Sequence, residues 1–441
     1  MSFFFKKKNI INILIISAFL PYLSLNIPVR LELLVIYTVG LITVFGFTIH
    51  WKIPRNGIYL SSILLLLLLL SLVSLIFIEE KNLQMLQDRS TFYVLADLER
   101  LIRVVFIIII VSSILNNIKP SDFDHIKTKC INLFLILLSL NTLLIIYVLI
   151  SKDLPQFILD LYWNTDRAFL SDTVAGRSYL NGRYTGIFIQ PMESGFAYGL
   201  GFILLLYKNK FNFFFSIRNL IILFFIIFGG ILSISKIFFI GISFITIVII
   251  FLKYKNIFKN IISLSLFFPL VFILLNFLPL ENWSGIQNYS IVFTMISSLE
   301  MTQIIDALSA GRFANPESAV TQMVKQVLTF SPYFGFGAGS FAANEVPVDS
   351  GYMLFYYQTG TVGFLIFSLS ILFLLINQSA RLFVSPSDES RLLYLLIVFV
   401  IGTSIGSPVL FLNRSGTILW IFIMIFLIRE SKKKNLENEK R

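Results

Sequence analysis

The chain has 441 residues, 57% of them hydrophobic and only 13% charged, with a mean hydropathy of +0.85. A water-soluble protein of this length carries roughly twice that charged fraction, so a soluble fold is excluded. The net charge of +11 would suit nucleic acid in a polar protein, but in so apolar a chain it reports the orientation of loops. The single Cys130 excludes an internal disulfide and a thiolate metal cluster, and His50 and His125, the only histidines, argue against a histidine-rich metal site.

Taken in order, the chain opens on Lys6-Lys7-Lys8 and an apolar run over 9–25 that imitates a secretory signal. No small-residue cleavage site follows and a second run begins almost at once, so it reads as a retained first helix. Runs of the length needed to cross a bilayer, about 20 residues, then recur along the chain. Polar punctuation divides them into twelve predicted spans: 9–25, 31–50, 57–78, 100–115, 131–150, 186–207, 219–231, 236–252, 260–280, 351–376, 392–407 and 416–428. The resulting organisation is helices one to five in 1–150, a long outer loop in 151–185 and helices six to nine in 186–280. A large outer loop occupies 281–350, helices ten to twelve 351–430, and a basic tail 431–441. The expected fold is an all-α polytopic membrane protein of about twelve transmembrane helices, with one large and one medium outer loop containing short helices.

Lysine sets the expected orientation. With the N-terminus in the cytoplasm, 16 of the 20 lysines fall in the termini or in alternate loops, which also places the C-terminal tail inside. Arginine is distributed differently. Arg167, Arg177, Arg183 and Arg312 fall in the two long outer loops, Arg414 in a short outer turn, and Arg100 and Arg103 near the outer end of the fourth span. A guanidinium is a permanent charge whose planar fork matches phosphate and carboxylate oxygens. Individually these residues can pair with Glu79, Glu99, Asp166 or Asp172 or reach lipid headgroups; as a set they point to an anionic ligand.

Three segments carry candidate chemistry. Pro191 removes a backbone donor from the sixth predicted span and is expected to break or kink it. Glu193 then sits within the membrane boundary, where an ionisable group is a functional candidate, or else pairs with Arg183 or Lys236 to hold helices together. Ser233-Ile234-Ser235-Lys236 offers hydroxyls and a cation to a phosphate oxygen, or equally caps a helix. In the large loop, 302–310 and 320–330 have helical spacing around Gly311-Arg312. The turn from Ser331 to Gly339 lets its backbone approach a ligand closely. No Lys-Ser/Thr follows it, so nucleotide binding is not expected. Asp349 either caps the tenth span or serves as an acid/base or sugar-binding residue.

The order of these pieces resembles the O-antigen polymerase and ligase superfamily of bacterial inner-membrane proteins. The resemblance runs through Arg183-x-x-Gly186-x-Phe188-x-x-Pro191, Ser233-x-Ser235-Lys236, Gly311-Arg312 and Pro332-x-x-Gly335-x-Gly337-x-Gly339. It ends on Asp349-x-Gly351-Tyr352 and Gly360-x-x-Gly363, and covers roughly residues 183–364. Ligases of that superfamily carry a histidine near the end of the large loop, where this chain has Asp349, which favours a polymerase. Lys236 stands where the family often has Arg, keeping the charge without the bidentate fork.

The resemblance implies a multi-pass protein of the bacterial inner membrane with both termini cytoplasmic. It implies a metal-independent glycosyltransferase without cofactor. That enzyme joins undecaprenyl-diphosphate-linked oligosaccharide units into O-antigen or capsular polysaccharide at the periplasmic face. Expected partners are the lipid-linked oligosaccharide and the bilayer, with a chain-length regulator and a flippase as further candidates and no nucleic acid. Arg183, Ser235, Lys236, Arg312, Arg414, Arg100, Arg103 and Tyr352 are the expected diphosphate- or sugar-binding residues. Glu193 and Asp349 are the expected acid/base carboxylates. A ligase-like transferase, and a transporter or flippase of lipid-linked oligosaccharide, are the competing readings.

Overall fold

The computed structural model describes residues 7–23, 29–45, 55–77, 91–212, 215–252, 319–340, 350–384 and 386–438. Almost all of this is helix. The helices are α1 (Lys7–Ser17), α2 (Leu31–Phe45), α3 (Arg55–Phe77), α4 (Thr91–Asn116), α5 (Pro120–Ser151) and α6 (Val174–Leu180). They continue with α7 (Pro191–Lys208), α8 (Ile217–Leu232), α9 (Lys236–Leu252), α10 (Ala319–Phe330), α11 (Gly351–Val384), α12 (Asp388–Ser404) and α13 (Arg414–Asn438). The strands are two-residue pieces, Tyr22–Leu23 and Val29–Arg30, paired antiparallel. Short helical turns at Gln156–Ile158, Leu159–Trp163 and Arg167–Asp172 lie in the first long loop.

Each predicted span except the ninth, 260–280, which lies outside the described residues, contains a helix, although in the first span, 9–25, the helix ends at Ser17 and Tyr22–Leu23 is strand. Among the described residues, three helices are long and apolar enough to cross a membrane, over Gly57–Ile76, Asp122–Ser151 and Gly351–Val384; Leu31–Thr43, Ile217–Leu232 and Lys236–Ile249 are shorter apolar helices. Two boundaries depart instructively from expectation. Pro191 does not kink the sixth helix but opens it, occupying the first turn where a missing N–H costs nothing. The fourth helix begins at Thr91, nine residues before the predicted start, and so takes in a charged turn.

The chain divides into two compact units. The first comprises Met1–Val39, Ile118–Ile291 and Ser385–Gly402. Here α5 packs against α1, α7 and α8, and α7 also packs against α8 and α9. A buried polar knot joins three of these helices. The Tyr198 hydroxyl accepts from Asn141 at 2.9 Å and lies 2.9 Å from the Thr142 hydroxyl, which reaches the Phe225 carbonyl at 2.9 Å. At the C-terminal end of α7, Lys127 pairs with Glu389 at 3.2 Å and Asp124 at 3.0 Å, while Tyr207 donates to Glu389 at 3.3 Å.

The second unit comprises Gly40–Asn117, Val292–Val384 and Thr403–Arg441. Within it α4 packs against α3 and α13, and α11 against α3 and α10. Helix α11 is broken at Gly360, whose φ of 62° and ψ of −162° belong to no helix. Phe355 and Phe367 would stand about 18 Å apart along a straight helix. Their ring centroids are 4.0 Å apart, so the helix folds back on itself. A short arm, 351–359, returns against a long arm, 361–384, which at 1.5 Å per residue extends roughly 36 Å, enough to cross a bilayer.

Candidate functional site

In the first unit, the approach to α7 is set by one asparagine in the middle of α5. Asn141 accepts from the Ile187 N–H at 2.9 Å and donates to the Thr185 carbonyl at 3.3 Å, so the chain entering α7 is clamped to α5. Gly186 lies between them with φ +64°, and a Cβ there would collide with the Asn141 amide. Only glycine meets both demands. Thr185 donates to the Phe188 carbonyl at 2.6 Å, and Phe188, fully buried, packs edge-on against Phe19. Gly186→Ala is therefore expected to cost about 1–3 kcal/mol from the backbone conformation alone, with displacement of Asn141 adding to it. Thermal unfolding of the purified protein checks this; an unchanged midpoint would contradict the clamp.

The same segment is pinned to the end of α8, where the Tyr184 N–H donates to the Leu232 carbonyl at 2.9 Å. One turn into α7, Gly195 packs directly on Ser235, the last residue before α9. These two contacts bring Arg183, Glu193, Ser235 and Lys236 to one end of the α7–α8–α9 layer. Glu193 and Ser235 are buried, Lys236 is exposed and Arg183 is half-buried. The Arg183 Nε is buried and meets no hydrogen-bond acceptor among the described residues. Gly186, Phe188 and Pro191 of the Arg183-containing motif have structural duties, whereas the Arg183 Nε–H has none among the described residues. The N-termini of α7 and α9 both open here, and each adds positive potential to that of the two cations. Glu193 in the first turn of α7 partly complements it. An anion is stabilised at such a place. Beside it, Trp163, Tyr179 and Tyr184 line an apolar cavity with Val148 and Ile158. Burial pushes the Tyr179 and Tyr184 phenols above their ordinary range, and Asp153 adds to the shift at Tyr179, so both stay neutral hydroxyls.

In the second unit, the fold gives partners to two arginines expected to face a ligand. Arg103, 1% exposed, donates to the carbonyls of Phe411 at 3.3 Å and Asn413 at 3.4 Å, and pairs with Glu99 at 3.6 Å. It is turned inward and holds the corner before α13, where the Asn413 carbonyl also accepts the Thr417 N–H of that helix at 3.3 Å. Arg414, 2% exposed, follows at the start of α13. Arg100 pairs with Asp97 at 2.9 Å but stays 36% exposed. Tyr352 opens the short arm of α11, next to Gly351, which packs on Ser407 and Pro408 of the same corner.

The glycine-rich turn packs against the break in α11. Phe336 and Gly337 N–H donate to the carbonyls of Tyr357 and Gln358 at 2.8 Å each. In return, Thr361 and Val362 N–H donate to Pro332 at 3.0 Å and Tyr333 at 3.2 Å. Groups orphaned by the break are thus satisfied by the turn, as buried backbone requires. Met323 and Val327 of α10 close over Phe336 and Tyr357. Sequence reasoning misses Asp97, which is 6% exposed and accepts from the Gly339 N–H at 2.9 Å and the Gln358 amide at 2.6 Å. Its i,i+3 spacing to Arg100, beside Glu99 and Arg103 at i,i+4, is the available signal for a charged helical turn.

Arg312, Asp349 and the predicted helix at 302–310 lie outside the described residues, whereas the predicted 320–330 helix is α10. No known family model, curated protein or solved structure matches the chain.

Proposed function

We propose that the chain spans a bacterial inner membrane about twelve times with both termini inside and polymerises lipid-linked oligosaccharides at the periplasmic face. The observation that carries this reading is the convergence of Arg183, Glu193, Ser235 and Lys236, distant in sequence, on one end of α7–α9. Lys127 contacts Tyr207 at the other end of α7, near Lys208 and Lys210. The positive-inside bias puts that lysine-rich end in the cytoplasm and the Arg183 cluster outside.

The chemistry follows from the residue types. The bond between the anomeric carbon of the growing chain and its carrier diphosphate breaks, and negative charge develops on the leaving diphosphate. Arg183 and Lys236, held beside two helix N-termini, stabilise that charge without reorganising. The acceptor sugar hydroxyl forms the new glycosidic bond and gives its proton to a carboxylate, for which Glu193 and Asp349 are the candidates. Arg312, Arg414, Arg100 and Tyr352 remain candidates for holding the second carrier or its sugars. The motif order that resembles the O-antigen polymerase and ligase superfamily supports the same reading, and Asp349 in place of the ligase histidine favours chain growth over transfer to a lipid core.

The test is reconstitution. Purified protein in lipid nanodiscs, given undecaprenyl-diphosphate-linked repeat units without nucleotide sugar or divalent cation, is expected to yield a ladder of longer lipid-linked chains. A preparation that is folded yet leaves single units unchanged sinks the proposal.

A further inference from the structure

We propose that Asp97 is a positioning residue that latches the short arm of α11, and with it Tyr352, into a fixed place within the second unit. Its functional half rests on the polymerase reading. Three segments far apart in sequence meet on this one buried carboxylate. Oδ2 accepts from the Gly339 N–H and from the Gln358 amide, and Oδ1 accepts from Arg100. Gly339 ends the turn that fills the break in α11, and Gln358 is the last but one residue of the short arm. Asp97 therefore ties the turn to the arm, and both to α4.

The neighbouring contacts run the same way: Ser74 donates to the Phe334 carbonyl and the Ala338 N–H donates to the Ser71 carbonyl at 3.3 Å, holding the turn to α3. Those bonds are between neutral groups, whereas the bonds to Asp97 are charge-assisted and stronger. Without the carboxylate, the Gly339 N–H and the Gln358 amide lose a shared acceptor in a buried place. The arm then keeps its hydrophobic contacts to α10 but loses its fixed register against α4. Tyr352 stands at the other end of that arm, edge-on to Phe367 of the long arm, and Asp349 precedes it by three residues in the chain. A loosened arm misplaces whatever Tyr352 holds while leaving its chemistry intact.

The test compares Asp97→Asn with the swapped pair Asp97→Asn/Gln358→Glu, in which the carboxylate moves across the same contact. The amide introduced by Asp97→Asn keeps an acceptor oxygen for Gly339, so the single variant is expected to fold; Asp97→Ala is the harsher companion. Two measurements are made on each nanodisc preparation: hydrogen exchange in peptides covering 334–340 and 351–362, and elongation of lipid-linked units. In Asp97→Asn, exchange in both peptides is expected to accelerate about tenfold or more. Turnover is expected to fall by a similar factor with KM little changed, and the swap is expected to restore both. Unaltered exchange in both single Asp97 variants overturns the latch. Faster exchange with unaltered turnover, or a swap that restores neither, overturns the positioning role. If the wild type itself does not elongate, the polymerase reading falls and the exchange measurements alone decide the latch.

Discussion

Arg183→Ala is expected to leave a folded protein at wild-type abundance while lowering elongation of lipid-linked units by about 10²–10³-fold, the usual loss when one preorganised donor to a developing anion is removed. The first half follows from what Arg183 does not do. Its backbone N–H, which donates to the Ser178 carbonyl at 2.9 Å, survives the substitution. Its Nε is buried without a hydrogen bond among the described residues, so truncation removes an unsatisfied donor rather than a structural bond. The segment it sits on is fixed by other residues, through the Asn141 clamp and the Tyr184–Leu232 bond. The second half follows from its charge and place beside the N-termini of α7 and α9. Arg183→Lys separates charge from shape: retaining the cation without the fork, it is expected to fall between wild type and alanine. Abundance and monodispersity in detergent report the fold, and the product ladder reports the activity. Full-length ladders from Arg183→Ala would remove the diphosphate role from this residue.

The helical framework is legible because burial in a membrane-sized layer is written locally, as runs of apolar side chains. Sequence reasoning fails where long-range partners decide. Asp97 and Glu99 make the start of α4 look like a loop end before the predicted span, yet they lie within the helix, since each finds an arginine of the same helix, Arg100 or Arg103, as its counter-charge. The cations at 183 and 236 are recognisable as types, but their convergence with Glu193 depends on Gly195 meeting Ser235 across helices, which no spacing announces. The glycine-rich turn is recognisable as a place of close backbone approach. What it approaches is hidden, because Gly360 reads like any glycine in an apolar helix. The two glycines that meet there, Gly335 and Gly360, carry the largest expected structural effect.

Gly360→Ala is expected to cost more than any other single methyl addition among the described residues, enough to deplete the folded protein from the membrane. Two independent penalties fall on one position. Its φ of 62° with ψ of −162° lies in a region that is essentially reserved for glycine, which alone costs about 1–3 kcal/mol. An added Cβ would also lie 2.5 Å from the Gly335 amide nitrogen and from the Tyr333 carbonyl carbon and oxygen, backbone atoms with nowhere to move. Gly335 is a mirror of this, since a Cβ there would meet the Gly360 nitrogen at 2.5 Å. Relieving either clash means withdrawing the turn from the break, which unpairs the carbonyls of Tyr357 and Gln358 and the N–H groups of Thr361 and Val362 together. Gly335, Phe336, Tyr357 and Gln358 are buried, and a buried backbone group left unpaired costs about 1–3 kcal/mol. Gly402→Ala is the control: it adds the same methyl to an apolar helix, and no described atom lies within 4 Å of it. Membrane abundance and thermal unfolding of both variants check the contrast. Equal stability of Gly360→Ala and Gly402→Ala would mean that α11 does not fold back at residue 360.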